Sequence, residues 1–579
     1  VEIARIKTIH ALAIAAQKSG KPAYALYEKA LHLCRTFTPL LDQKTLAALE
    51  AHIRTTQAVY FYSTGRHLDQ RKRFDLLLKR LEAVPEKPIE TDLMLVKASM
   101  VRGQIALREG NRNQASYIYK RGLEVLHQIE KSTSPPPILP LLRANLLTLR
   151  AELWKELPKR EKDIKDALEA LSTLDETLTG TSNEILIRAS LIALQNLGTT
   201  GLENSVAFLE KEIKASPENP VLLITRATYL SKLAERKRRE GENPRPAFRQ
   251  AHKDLYRALD LPPVTHLLFD AEIQLATHVY MVGSLPNKVI ENHQGTLTRI
   301  LEILTKQEAD SPRIPRVKAL IHLLEAALLR RAREDASLHY RQGIGLLETL
   351  MEEGNDQDTL PLLAEAWLQY GLAKHAQGGN PAEEFGKALE IIRKRETREP
   401  ENIHIAIQVR ELLLSKENFG ASEGPIAWEE LDTSLEEVSQ FVEKDPKNLL
   451  LRIKRANFAY QLATLKTRNQ KPLNGLVELV IEDTTKCIAK PSLARKALML
   501  RALIRGTGAI EAASGNQIMT SLKQLDQSGL DFELILKQTP NYIPAYLFRA
   551  EIYFNALSRN PDGFLRLGGH TNVHSLLQV

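Results

Sequence analysis

Val101-Arg-Gly-Gln-Ile-Ala-Leu-Arg-Glu-Gly-Asn-Arg-Asn-Gln-Ala-Ser-Tyr-Ile-Tyr-Lys-Arg-Gly-Leu-Glu124 decides the fold. It reads as two helices folded back on each other. Small residues stand at Gly103, Ala106, Ala115 and Gly122, where two antiparallel helices must approach closely, and Tyr119 is the bulky knob between them. Gly110-Asn111 makes the turn. A glycine that ends a helix tolerates a left-handed backbone, and the polar run after it offers side chains that accept the first free N–H groups of the next helix.

Imperfect copies of this hairpin run along the chain. Second-helix patterns are Ala23-x3-Tyr27-x2-Ala30, Ala251-x3-Leu255-x2-Ala258 and Ala336-x3-Tyr340-x2-Gly343. First-helix patterns are Trp367-x2-Tyr370-Gly371 and the pairs Arg226-Ala227, Arg455-Ala456, Arg501-Ala502 and Arg549-Ala550, the last within Tyr546-x2-Arg549-Ala550-x2-Tyr553. Joints between copies are marked by proline among polar residues, at Ser216-Pro-Glu-Asn219, Glu399-Pro-Glu-Asn402, Asp445-Pro-Lys-Asn448 and Thr539-Pro-Asn541. Proline cannot continue a helix, and the polar residues beside it can cap the next one. The spacing resembles the tetratricopeptide repeat (TPR) family, whose unit of about 34 residues is a helix–turn–helix. The resemblance implies an all-α, right-handed α-solenoid of roughly ten to thirteen hairpins. Residues 40–95 and 264–315 carry little of the motif.

The C-terminal copies are long. Pro400, Pro446, Pro491 and Pro540 fall 46, 45 and 49 residues apart. The excess is expected in loops between the helices of a pair, at residues 416–425, 465–472 and 506–515, with another at 236–246. Insertions at one point of a repeat emerge on one edge of a solenoid, so this edge is expected to form a second contact surface. The expected divisions are 1–134, 138–285, 288–398 and 399–560, all TPR-like, and a tail at 561–579. Bends are expected at Pro135-Pro136-Pro137 and Leu285-Pro286.

Composition is that of an ordinary folded protein, with 43% hydrophobic and 26% charged residues, which excludes a disordered chain. The formal charge of +8 comes from 79 basic and 71 acidic side chains interleaved along helix faces. Cys34 and Cys487 lie far apart without CxxC spacing, so neither a disulfide framework nor a zinc motif is read. No apolar run reaches the roughly 20 residues a membrane helix needs. A cytoplasmic chain is favoured, with an exported form whose signal peptide has been removed as the alternative, since the sequence starts at Val1.

No residues announce catalysis, a cofactor or a metal. Gly506-x-Gly508 lacks the strand and the Lys-Ser/Thr pair of a phosphate loop, His570 and His574 lie in a glycine-rich stretch without a carboxylate, and Glu429-Glu430 and Glu436-Glu437 read as surface charges. The basic clusters at 71–73, 236–239, 330–333 and 393–395 could track a nucleic-acid backbone, but no regular aromatic residues interleave with them. The TPR resemblance places the inner face at Gln104, Thr228, Asn457, Gln461 and Glu551, and gives Arg226, Arg455, Arg501 and Arg549 two readings: groove contacts, or stems packed on a neighbouring helix. The expectation is a non-catalytic scaffold or adaptor, a subunit of a larger assembly, taking peptides or helices of other proteins in a concave groove. A nucleic-acid-binding solenoid and a regulatory module of a separate enzyme are the alternatives.

Overall fold

The computed structural model describes residues 2–394, apart from stretches of one to six residues, and residues 445–561 apart from 470, with scattered positions between 432 and 443. Among the described residues every regular element is helical. The helices are α1 (Glu2–Lys18), α2 (Tyr24–Thr36), α3 (Gln43–Ser63), α4 (Gln70–Ala83), α5 (Ile89–Arg108), α6 (Arg112–Glu130), α7 (Leu139–Ala151), α8 (Leu157–Ser172), α9 (Ser182–Gln195) and α10 (Thr199–Ala215). They continue as α11 (Pro220–Arg239), α12 (Arg245–Leu259), α13 (His266–Val282), α14 (Asn287–Gln307), α15 (Arg313–Ala332), α16 (Ser337–Gly354), α17 (Leu360–Ala376) and α18 (Ala382–Lys394). After residue 445 come α19 (Leu449–Arg468), α20 (Leu476–Ile488), α21 (Pro491–Ser514), α22 (Ile518–Gln538) and α23 (Ile543–Arg559).

The packing is that of a hairpin array. Most helices lie against the next, and first helices also touch the first helix one pair on: α3 on α5, α5 on α7, α7 on α9, α13 on α15, α19 on α21, α21 on α23. The contacts divide the chain into two compact units, one of residues 1–235 and 244–380, the other of residues 236–243 and 381–579. The described residues of the regions poor in motif, 40–95 and 264–315, lie mostly in helices of the same kind, α3 to α5 and α13 to α15.

The opening hairpin is built as its sequence implies. An added Cβ on Gly103 would stand 2.1 Å from Cε1 of Tyr119, so α5 and α6 approach through that glycine. Ala106, Ala115 and Tyr119 are fully buried. Asn111 caps α6, its side chain accepting the Gln114 N–H at 3.0 Å. Asn448 does the same for α19 through Leu451 N–H, also at 3.0 Å, and Asn219 accepts Val221 N–H at the start of α11. The joints at 216–219, 445–448 and 539–541 are turns between pairs, and Pro491 opens α21. The joint at Glu399-Pro400 lies outside the described residues.

The repeat that begins at Pro491 owes its length to long helices, which corrects the expectation of an edge loop at 506–515. Residues 506–514 complete α21, whose turn to α22 is only Gly515-Asn516-Gln517. Residues 465–468 belong to α19 and 236–239 to α11, while the described residues 469, 471–475 and 240–244 lie outside helices. Residues 416–425 lie outside the described residues. Gly506 and Gly508 misled because glycine suggests a loop. Here each makes room for a neighbour: a Cβ on Gly506 would meet Ile552 at 2.5 Å, and one on Gly508 would meet Gln524 at 2.6 Å. Gly506-x-Gly508 is therefore a helix-packing feature and no phosphate loop.

Candidate functional site

The recurring arginines have internal partners. Arg226 on α11 donates through Nε and Nη2 to Asp254 on α12, both at 2.7 Å. Arg455 on α19 donates to Asp483 on α20 at 2.6 and 2.7 Å, and Arg452, one turn earlier, adds a third bond at 2.9 Å. Arg501 on α21 holds Asp531 on α22 at 2.6 Å, with Arg505 also at 2.6 Å. An earlier pair follows the rule without having been singled out from the sequence: Arg150 on α7 donates to Asp163 on α8 at 2.8 Å, and Trp154 Nε1 donates to the same carboxylate at 2.7 Å.

All four aspartates are buried. Planar guanidinium groups match carboxylates two bonds at a time, which fixes orientation as well as attraction. The packing alternative for Arg226, Arg455 and Arg501 thus describes their geometry, with the correction that each head is held by a buried carboxylate within the pair. The signal was legible. Each Asp stands directly before the residue that fills the hairpin, in Asp163-Ile164, Asp254-Leu255, Asp483-Thr484 and Asp531-Phe532.

Arg549 on α23 departs from the rule. No Asp faces it among the described residues. Its Nη2 lies 3.8 Å from half-exposed Glu533, its guanidinium sits 5.8 Å from the centre of the Tyr553 ring, and its Nε is buried without a hydrogen-bond partner. The same helix carries an apolar stripe to solvent: Ile543 is 66% exposed, Leu547 65% and Phe554 72%. Spacings of four and seven put the three on one side of the helix. On α22, Met519, Leu530 and Leu534 are exposed in a second such line.

The expected inner-face residues are dispersed over both units. Gln104, Thr228, Asn457 and Gln461 are half-buried and Glu551 is exposed. Thr228 spends its hydroxyl on the Ile224 carbonyl at 3.0 Å, whereas Oε1 of Gln461 is buried with no donor. Among the basic clusters, Arg236 pairs with Glu240 at 2.6 Å, Arg330 donates to Gln369 and Arg331 to the Leu285 carbonyl. His570, His574, Glu429 and Glu430 lie outside the described residues.

The thiols of Cys34 and Cys487 are buried, and burial pushes them up to about 11 and about 12. Neither is a thiolate near neutral pH. No helix of the described residues is long and apolar enough to cross a membrane.

This is an all-α array of helical hairpins, four of them clamped through buried Arg–Asp bridges. No family model and no curated protein matches the chain. Among solved structures it is similar to the human IFIT1 dimer with m7Gppp-AAAA, at 12% identity over 86% of this chain and 93% of that one, with a TM-score of 0.34. It is also similar to Ypp1 (11% identity, 97% and 92% coverage, TM-score 0.30) and to Naa15/Naa10 bound to HypK-THB (14%, 99% and 95%, 0.20). At such scores nothing that those proteins bind passes to this chain.

Proposed function

We propose that this chain is a non-catalytic protein-interaction scaffold, and that α23 is one of its docking faces. The observation that carries the reading is the exposed stripe Ile543–Leu547–Phe554. Contiguous exposed apolar surface on a helix marks an interaction site. The occupant that fits is an amphipathic helix of a partner protein, laying its apolar face along that stripe. The internal partners of Arg236, Arg330 and Arg331 weigh against a basic track for nucleic acid.

The test is capture of partners from the native host, with and without nuclease, washed at about 0.15 M and then about 0.5 M salt. A defined protein set that survives both treatments, and is lost with Leu547→Glu plus Phe554→Glu in a chain that keeps its helicity, is the expected result. Binding that disappears with nuclease would turn the reading to nucleic acid. Collapse of residues 491–559 in the double variant would mean that the chain itself covers this face.

A further inference from the structure

Three side chains that the repeat pattern leaves unused converge inside the first unit. His252 stands on α12, Glu272 on α13 and His293 on α14. Glu272 and His293 are fully buried, and their Oε1 and Nδ1 share a hydrogen bond of 2.7 Å. The ring of half-buried His252 lies edge-on to that of His293, with centroids 4.5 Å apart. One donor atom from each residue lies within 4.8 Å of the other two.

The hydrogen bond does not satisfy the cluster. Nε2 of His293, Oε2 of Glu272 and Nδ1 of His252 are all buried without a hydrogen-bond partner. Buried polar atoms almost always have one. Other histidines of the array show the ordinary solution: His10 meets the Thr56 hydroxyl at 2.6 Å, and His278 meets that of Ser231 at 2.9 Å. At the cluster no hydroxyl serves, and three atoms able to give lone pairs are left over together.

We propose that His252, Glu272 and His293 bind a divalent transition-metal ion of the zinc class. Two imidazoles and a carboxylate suit Zn2+ and its neighbours, whereas Ca2+ and Mg2+ call for oxygen ligands alone. Donors around a tetrahedral ion with bonds of about 2.1 Å stand about 3.4 Å apart. A turn of His252, the least buried of the three, closes the set to that spacing. The ion ties three consecutive helices together, with water completing its shell on the His252 side, and acts as a structural clip. The sequence reading expected no metal. The three ligands stand 20 and 21 residues apart on separate helices and form no local motif.

The whole chain, stripped with a chelator, is titrated with Co2+ alone. A visible absorption band that saturates at about one equivalent and is displaced by Zn2+ is expected, and Zn2+ but not Mg2+ should raise the thermal midpoint. His252→Asn and, separately, Glu272→Gln should weaken Co2+ binding by at least about tenfold. His322→Asn, which alters a histidine pair elsewhere in the array, should leave it unchanged. The proposal is overturned if the folded wild-type chain shows no saturable band and no Zn2+-dependent rise in midpoint. It is equally overturned if the band persists at full strength in His252→Asn, or in Glu272→Gln where His252→Asn does not fold.

Discussion

Asp483→Asn tests the clamps most sharply. The carboxylate is fully buried and accepts three hydrogen bonds, from Arg452 and from both faces of the Arg455 fork, and those arginine side chains are only 7% exposed. The amide keeps the shape and removes the charge, leaving two guanidinium groups together without a counterion. Breaking a buried pair from one side costs about 3–5 kcal/mol, because the survivor remains desolvated. Hairpin arrays open in pieces, so the right assay is local: amide hydrogen exchange read by mass spectrometry over residues 449–488. Exchange there should accelerate by about two to four orders of magnitude. Residues 139–172, in the other unit with their own Arg150–Asp163 pair, should not change. Replacing all three members by leucine should recover most of the loss, since apolar packing tends to equal a buried ion cluster. A penalty below about 1 kcal/mol, the scale of an exposed ion pair, would refute the view that these bridges are clamps.

Two further outcomes follow from single contacts. Gly103→Ala should destabilise the α5–α6 hairpin by about 1–3 kcal/mol through the clash with Tyr119, and Tyr119→Leu in the same chain should return part of it; unchanged thermal unfolding of Gly103→Ala would contradict the close approach. His10 is held down to about 4 by burial, and next by His52, from an ordinary value of 6.5. Above pH 6.5 it is neutral folded or unfolded. As pH falls below that value the unfolded chain takes up the proton first, so this contribution to stability is lost progressively down to about pH 4. Exchange of α1–α3 amides should therefore quicken, after correction for intrinsic rates, across that window, and His10→Gln should flatten the trend; an identical acid response in the variant would refute it.

The hairpin was legible because it depends on size alone. Gly103, Ala106, Ala115 and Tyr119 can be read as hole and knob without knowing what surrounds them, and the caps at Asn111, Asn219 and Asn448 are equally local. The repeat that begins at Pro491 was misread for a complementary reason. Gly506-Thr-Gly-Ala-Ile-Glu-Ala-Ala-Ser514 looks loose in isolation, and only Ile552 and Gln524, residues from later helices, show why glycine is required within a helix. A glycine reports that space is limited or that the backbone is unusual; the sequence nearby does not say which.

The site residues follow the same division between local and distant information. Arg before a small residue recurred visibly at 226, 455, 501 and 549, but its meaning lay some 30 residues downstream, in the Asp that precedes each second-helix knob. Reading both halves together turns four ambiguous arginines into three clamps and one exception. A clamp of this kind also carries selectivity, since a helix offering no carboxylate would leave the buried guanidinium uncompensated, at a cost larger than most single apolar contacts provide. Arg549, on the packed side of α23 opposite Ile543, Leu547 and Phe554, meets Glu533 and the Tyr553 ring in place of an Asp, so what covers the exposed stripe answers apolar residues alone.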